Sequence, residues 1–328
     1  MTRAVISAGM TLLLVAAWAV PALAEVTVQP SNKGAVVKID GKLFTEYVTA
    51  AGSEKTPATP ILWPIIGPTG QPVTRAYPMG EGLRAERKDH PHHRSLWFNH
   101  GSVNGLSFWD RELIRHERFV EIKSGPAGRI VTENSWVDGE GAAQCTDRRT
   151  LTFGVKGETR WIDFDIAIKA GAKPVTFGDT KEGMFGVRVA GTMSVDAAKP
   201  DRYVSDPDPN WGGHIANSEG LRDGQAWGKR AAWVDYYGPI EGETVGIAIL
   251  NHPKSFRYPT YWHVRTYGLF TANPFGVRDF EGKQAPDGSH TLQPGESVTF
   301  HYRLLFHKGD EKEGRIAEAF AEYSAEEK

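Results

Sequence analysis

Cys145 is the single cysteine among 328 residues. No intramolecular disulfide can form, so the fold must rest on its core. Neither of the common Gly-rich phosphate loops occurs, which sets kinase and stand-alone dehydrogenase chemistry aside. Charge of one sign is also lacking. The 38 Lys and Arg against 40 Asp and Glu leave a net −2, without the electrostatic footprint of a nucleic-acid binder. Helix signals are scarce, and there is no internal repeat or low-complexity linker. Beyond residue 24 no apolar run approaches the roughly 20 residues of a membrane span.

The N-terminus is what such a chain has instead. Arg3 supplies a positive start, Met10 to Val20 is uncharged and mainly apolar, and Pro21 precedes the small-x-small triplet Ala22-Leu23-Ala24. This order predicts a cleavable signal peptide over residues 1–24 and a periplasmic or secreted protein starting near Glu25. An uncleaved anchor is the alternative, but Ser7, Gly9, Thr11 and several alanines dilute the stretch. After cleavage no membrane association is expected. Outside the cytoplasm, ATP and free nicotinamide cofactors are not dependable, so no soluble cofactor is expected.

Residues 25–328 read as a single all-β domain. The 36 Gly and 20 Pro punctuate short runs rich in Val, Ile, Phe, Tyr and Trp, the pattern of a sandwich. Val36 to Ile39, Asp40-Gly41 and Leu43 to Val48 predict a hairpin. In Trp161 to Ile168 the apolar residues fall at 162, 164, 166 and 168, and Val298 to Phe306 alternates in the same way. Val245 to Leu250 suits a buried strand. The clear helix is C-terminal, with Asp310 as cap, Glu313 three residues later, and Ile316, Ala317, Phe320 and Tyr323 on one stripe. Ser205 to Asn210 reads as a surface loop.

The chemistry concentrates in Asp89 to Asp110, DHPHHRSLWFNHGSVNGLSFWD, which holds His90, His92, His93 and His100 with Arg94, Trp97 and Trp109. Pro91 favours extended backbone at His90. An extended start would place His90, His92 and Arg94 on one face and His93 on the other. Three readings stay open: a divalent metal on His90 and His92, hydrogen bonds to a polar ligand with Trp97 as a stacking platform, or satisfaction of buried loop backbone. A second cluster, Tyr261 to Phe275, aligns His263, Arg265 and Tyr267 on one face of a strand, with Asn273 further along. A cationic and aromatic row is costly to bury without partners, although an Arg–carboxylate pair would explain Arg265 alone.

Candidate carboxylates are Glu182, which shares a face with Arg188 if that stretch is a strand, Asp235 beside Trp233, and Asp279 with Glu281. A carboxylate with a histidine is what acid–base chemistry at a sugar carbon requires. Taken singly, each of these carboxylates suits a structural role, as core packing suits Trp211, Trp227 and Trp233.

The runs WPIIGPTGQPVTRAYPM, DHPHHRSLWFNHGSVNGLSFWD, DTKEGMFGVRV and HPKSFRYPTYWHVRTYGLFTANPFG resemble the bacterial family labelled PmoA-like, or methane oxygenase PmoA, over nearly the whole mature chain. That label implies a polytopic membrane subunit, which a chain without later spans does not fit. The family's occurrence beside secreted carbohydrate-degrading systems implies a sugar-related role. More distantly, the chain is similar to the galactose-mutarotase-like β-supersandwich. The resemblance implies that DHPHHR is a sugar-touching loop. It also implies that Asp279 or Glu281, ahead of Leu292-Gln293-Pro294-Gly295-Glu296, stands where the catalytic base belongs. That spacing is short, and the mid-chain His-Pro-Tyr-type motif is missing.

The expectation is therefore a β-supersandwich with one C-terminal helix that binds a sugar or glycoside and hydrolyses, eliminates or epimerises it. His92, His93, Glu182, Asp235, Asp279 and His263 are its candidate acids and bases. His90, Arg94, Trp97, His100, Arg188, Trp233, Arg265, Tyr267 and Asn273 are its candidate substrate contacts. The rivals are a non-catalytic carbohydrate-binding protein and a metal-dependent enzyme using His90 and His92. The sugar, the bond and the oligomeric state are not encoded legibly.

Overall fold

The computed structural model describes residues 24–53, 56–200 and 207–328, with residues 1, 4 and 202 besides. The expected signal peptide and part of the loop at 205–210 fall outside them. Among the described residues no helix is long and apolar enough to cross a membrane.

The chain starts as an antiparallel meander of β1 (Val26–Pro30), β2 (Gly34–Ile39), β3 (Lys42–Ser53), β4 (Thr56–Ile65) and β5 (Leu96–His100). The β2–β3 hairpin turns at Asp40 and Gly41, whose φ angles of 49° and 75° are the positive values that a two-residue turn demands. A second meander follows in another sheet: β6 (Leu113–Lys123), β7 (Gly128–Val137), β8 (Ala143–Lys156) and β9 (Thr159–Ala170). The short β10 (Val175–Phe177) leads back, and β11 (Gly183–Arg188) joins the first sheet beside β5. β12 (His214–Asn217), β13 (Trp233–Ile240) and β14 (Glu243–Asn251) extend the second sheet. The hairpin β15 (Tyr261–Val264) and β16 (Leu269–Asn273) closes the edge of the first.

A five-residue helix, α1 (Val277–Glu281), precedes β17 (His290–Leu292), which pairs with β10. β18 (Ser297–Lys308) inserts between β14 and β9, and α2 (Ile316–Ser324) ends the fold. The result is a sandwich of two eight-stranded antiparallel sheets.

Alternation produces the core. Ile162, Phe164, Ile166 and Ile168 of β9 and Val298, Phe300, Tyr302, Leu304 and Phe306 of β18 all enter the cluster shared by both sheets. Phe185 of the first sheet meets Phe164 and Tyr302 of the second with ring centroids 4.7 Å apart in each case. Within this core, Asp147 accepts from Arg149, Asn134 and Trp136, so a buried ion pair is satisfied on both sides.

The C-terminal helix begins later than its cap predicts. Asp310 and Glu313 do bond reciprocally to each other's backbone N–H. Arg315, in left-handed conformation at φ 52°, then breaks the path before Ile316. Of the expected stripe, Ile316, Phe320 and Tyr323 do pack together, while Ala317 is exposed and Ala319 joins them in its place.

Candidate functional site

The 30-residue connection between β4 and β5 carries the His-rich run. It is not extended. His93 N–H donates to the His90 carbonyl at 2.9 Å, and His90 and Ser95 hold φ angles of 39° and 53°. The extended backbone expected before Pro91 therefore gives way to a turn, because the loop is tied from beneath. Arg75, 1% exposed, donates to the carbonyls of Arg87, Asp89, His90 and His93 at 2.8–2.9 Å and to the Asp89 carboxylate at 2.8 Å. A planar guanidinium with five donors can satisfy several buried carbonyls at once. This turn makes the imidazoles converge where an extended strand would alternate them.

The rings stack in a column. Trp97 and His93 lie 5.5 Å apart at 9°, His93 and His90 4.8 Å apart at 4°, and His90 and Tyr267 5.8 Å apart at 8°. His92 meets His93 edge-on at 4.6 Å and leans on Trp109 at 5.8 Å. Asp89 braces the column from the side at His90. Its Oδ1 accepts from Arg75 at 2.8 Å and Arg188 at 3.0 Å, and His90 Nδ1 lies 3.2 Å from Oδ2. Burial opposes its ionisation, but the His90 hydrogen bond and the two guanidiniums outweigh that and hold the carboxyl well below the usual range.

Beside this column opens a cleft of about 490 Å³ on the face of the first sheet turned away from the core. His90, His92 and His93 form one wall. The segment 107–111 supplies Ser107, Trp109, Asp110 and Arg111. Lys181 and Glu182 enter just ahead of β11. The β15–β16 hairpin adds His263, Arg265, Tyr267 and Leu269. Strand alternation explains His263: Trp262 and Val264 point into the core, so His263 points outward. Arg265 and Tyr267 come from the hairpin turn, not from a continued strand. Glu182 holds Lys181 Nζ at 2.7 Å.

Burial keeps His92, His93 and His263 neutral, and the tautomers of His93 and His263 differ. Burial pushes His263 down to about 4. Its Nδ1 lies 2.9 Å from the Lys181 carbonyl; a carbonyl only accepts, so Nδ1 carries the proton and Nε2 offers a lone pair. Burial, then Arg188 and His92, push His93 well below its ordinary value. Its Nδ1 lies 3.0 Å from Arg188 Nη1; a guanidinium only donates, so the His93 proton sits on Nε2. One cleft thus holds an acceptor imidazole and a donor imidazole. Burial and His90 lower His92 to about 4 as well.

Of the residues singled out from sequence, the cleft gathers His90, His92, His93, Trp109, Glu182, His263, Arg265 and Tyr267. The others lie elsewhere. Arg94 turns under the sheet to the carbonyls of Ala51 and Pro57. Trp97 is covered by His93 and forms the column's base, not an open platform. His100 is fully buried, with Nε2 at the Gly178 carbonyl. Arg188 backs His93 and Asp89 without reaching the cleft. Asn273 ties Thr180 to Phe275.

Asp235 and Trp233 belong to the second sheet, where Asp235 meets His307 at 3.1 Å and Trp233 packs under α2. The parity that aligned them is real, but their face is not the site's. Asp279 on α1 accepts from Lys181 N–H and Lys283, and Glu281 accepts from the Tyr261 hydroxyl. Neither is among the residues that line the cleft. A His90–His92 metal pair is not arranged either. Their rings are perpendicular, His90 Nδ1 faces Asp89, and among the described residues no three His, Cys, Asp or Glu side chains group to hold an ion. Sequence reasoning does not find Asp110, Arg111, Lys181 or the supporting Arg75 and Asp89. Charged residues in loops carry no periodicity to mark them.

Residues 34–321 match the model of DUF6807, described as a family of unknown function. The PmoA-like resemblance is not among the matches, and no curated protein matches. Among solved structures, the chain is similar to the GH36 alpha-galactosidase AgaB from Geobacillus stearothermophilus, with 13% identity, TM-score 0.39, and coverage of 87% of this chain and 41% of that one. It is similar to a glycoside hydrolase family 97 enzyme from Pseudoalteromonas sp. strain K8, with 7% identity, TM-score 0.33, and coverage of 86% and 34%. A polysaccharide lyase matches with 10% identity, TM-score 0.33, and coverage of 91% and 34%. The chain therefore spans about two fifths or less of the length of these neighbours. At such TM-scores the likeness carries no argument about activity.

Proposed function

Because the chain belongs to DUF6807, a family of unknown function, any activity has to be argued from its own site, and we propose that it is an exported carbohydrate-active enzyme using imidazole and carboxylate acid–base chemistry on a sugar or glycoside. One observation carries the reading: two neutral imidazoles of opposite tautomer line one cleft. His263 Nε2 takes a proton from the substrate, and His93 Nε2–H gives one to a departing or re-protonated atom. Proton transfers of this kind contribute about 10²–10⁴ in rate. Glu182 supplies the carboxylate beside them. Trp109 and Tyr267 add aromatic atoms to the cleft lining, the kind of surface that lines many ligand pockets. Hydrolysis, elimination and epimerisation all fit this equipment, and none needs a soluble redox cofactor. The N-terminal signal pattern supports a site of action in the periplasm or outside the cell.

The test is a screen of residues 25–328 against glycosides and keto-glycosides, with products read by mass, together with His93→Ala and His263→Ala. The expected result is turnover by the wild type and a loss of about 10²–10⁴ in each variant. Turnover unchanged in both variants sinks the acid–base assignment. Binding without turnover in every case makes the protein a carbohydrate-binding module instead.

A further inference from the structure

The buried arginines around the cleft have their N–H groups engaged by protein acceptors. Arg75 and Arg188 share Asp89. In the cleft itself Lys181 is held by Glu182 at 2.7 Å. Arg265 departs from this pattern. Its guanidinium lines the cleft, yet among the described residues no carboxylate forms an ion pair with it and no acceptor bonds its side chain. It is half-buried nonetheless. Its Cζ lies 5.5 Å from the Trp227 ring centroid and 5.8 Å from that of Tyr267. Its backbone is pinned by the tight turn, with N–H donating to the Leu269 carbonyl at 2.7 Å and the carbonyl accepting from Gly268 at 3.0 Å. Aromatic faces fix a guanidinium plane without using its N–H groups. The fold therefore restrains this side chain while leaving its hydrogen-bonding fork unspent.

Among the cleft's Lys, Arg, Asp and Glu side chains, Arg111, Lys181 and Arg265 oppose only Asp110 and Glu182. A guanidinium fork set against two aromatic rings and left unpaired matches a planar carboxylate in a bidentate pair. We propose that the substrate is an acidic sugar and that Arg265 reads its carboxylate. This rests on the carbohydrate reading above and narrows it to uronate-type residues. Arg265 is thereby a specificity-determining residue rather than an acid or a base.

The experiment is equilibrium binding of wild-type protein to oligosaccharides of glucuronate and galacturonate, beside the corresponding glucose and galactose oligosaccharides, at low and high salt. The acidic probes are expected to bind at least tenfold more tightly than their neutral counterparts, with the preference falling as salt rises. Arg265→Met should abolish the preference, and Arg265→Lys should keep part of it. A merely structural role for Arg265 would weaken both probe classes together and leave their ratio unmoved. Equal binding of both classes by the wild type, tighter binding of the neutral class, or an undiminished preference in Arg265→Met overturns the carboxylate subsite while leaving the carbohydrate reading standing. Failure of all probes to bind overturns both.

Discussion

Replacing Asp89 with asparagine removes one charge and almost no volume, so its effect isolates electrostatics. The Asp89 side chain is 5% exposed, and its partners Arg75 and Arg188 are 1% and 2% exposed. Its Oδ1 receives charged hydrogen bonds of 2.8 and 3.0 Å, and His90 Nδ1 stands 3.2 Å from Oδ2. Asp89→Asn leaves two guanidiniums buried without a counter-charge, and the new amide N–H₂ would face donors. Breaking a buried pair in this way costs about 3–5 kcal/mol. For a chain of this size that corresponds to a fall of about 5–8 °C in Tm.

The pH dependence provides a second signature. The folded carboxyl is held below its ordinary 3.8, so its contribution is present above that value and drains away as pH falls through the lower folded one. Thermal and urea unfolding of both proteins should show a gap at pH 7 that narrows under acid conditions. A Tm within about 1 °C of wild type at pH 7 would refute the claim that Asp89 neutralises the two arginines.

With His263 lowered to about 4, the acid limb of kcat/KM should fall near pH 4, since the base is lost only when Nε2 protonates; a limb near 6.5 points to a different group. His307 should titrate above 6.5 by NMR: burial opposes its charge, but Asp235 and the Lys308 carbonyl accept from both ring nitrogens and raise it. Its contribution to stability is then full below the unfolded value and lost as pH rises through the folded one; Asp235→Asn should bring the His307 titration down, and no change counts against the pairing. Gly186→Ala would place a Cβ 2.6 Å from the Trp97 ring and 3.0 Å from Thr271. Such overpacking costs about 1–3 kcal/mol, and ligand binding should weaken with it because His93 stacks on Trp97; unchanged melting would show that the column yields freely.

Much of the scaffold was legible because β-structure writes itself in period two. The β2–β3 hairpin, β9, β14 and β18 follow from alternation and one Asp-Gly turn. The C-terminal helix was legible as an element but not in its start, since its cap closes a separate turn. In the site, His263 could be placed correctly because it lies on a strand. Arg265 and Tyr267 reached the cleft through a hairpin turn that a strand reading does not contain. The His-rich run stood out by composition and part of it lines the cleft, yet its backbone geometry was misjudged. Local preference before Pro91 was overridden by Arg75, a residue 15 positions away from His90.

The sequence by itself determined the all-β class, the strands with clean alternation and the two runs of residues that meet in the cleft. These properties are local, set by side-chain parity and turn chemistry within a few residues. Only the tertiary structure decided which candidates share a site. It removed Asp235, Asp279 and Trp233 and recruited Lys181 and Asp110. It also fixed the tautomers of His93 and His263, because those depend on whether an arginine or a carbonyl, distant in sequence, arrives at Nδ1.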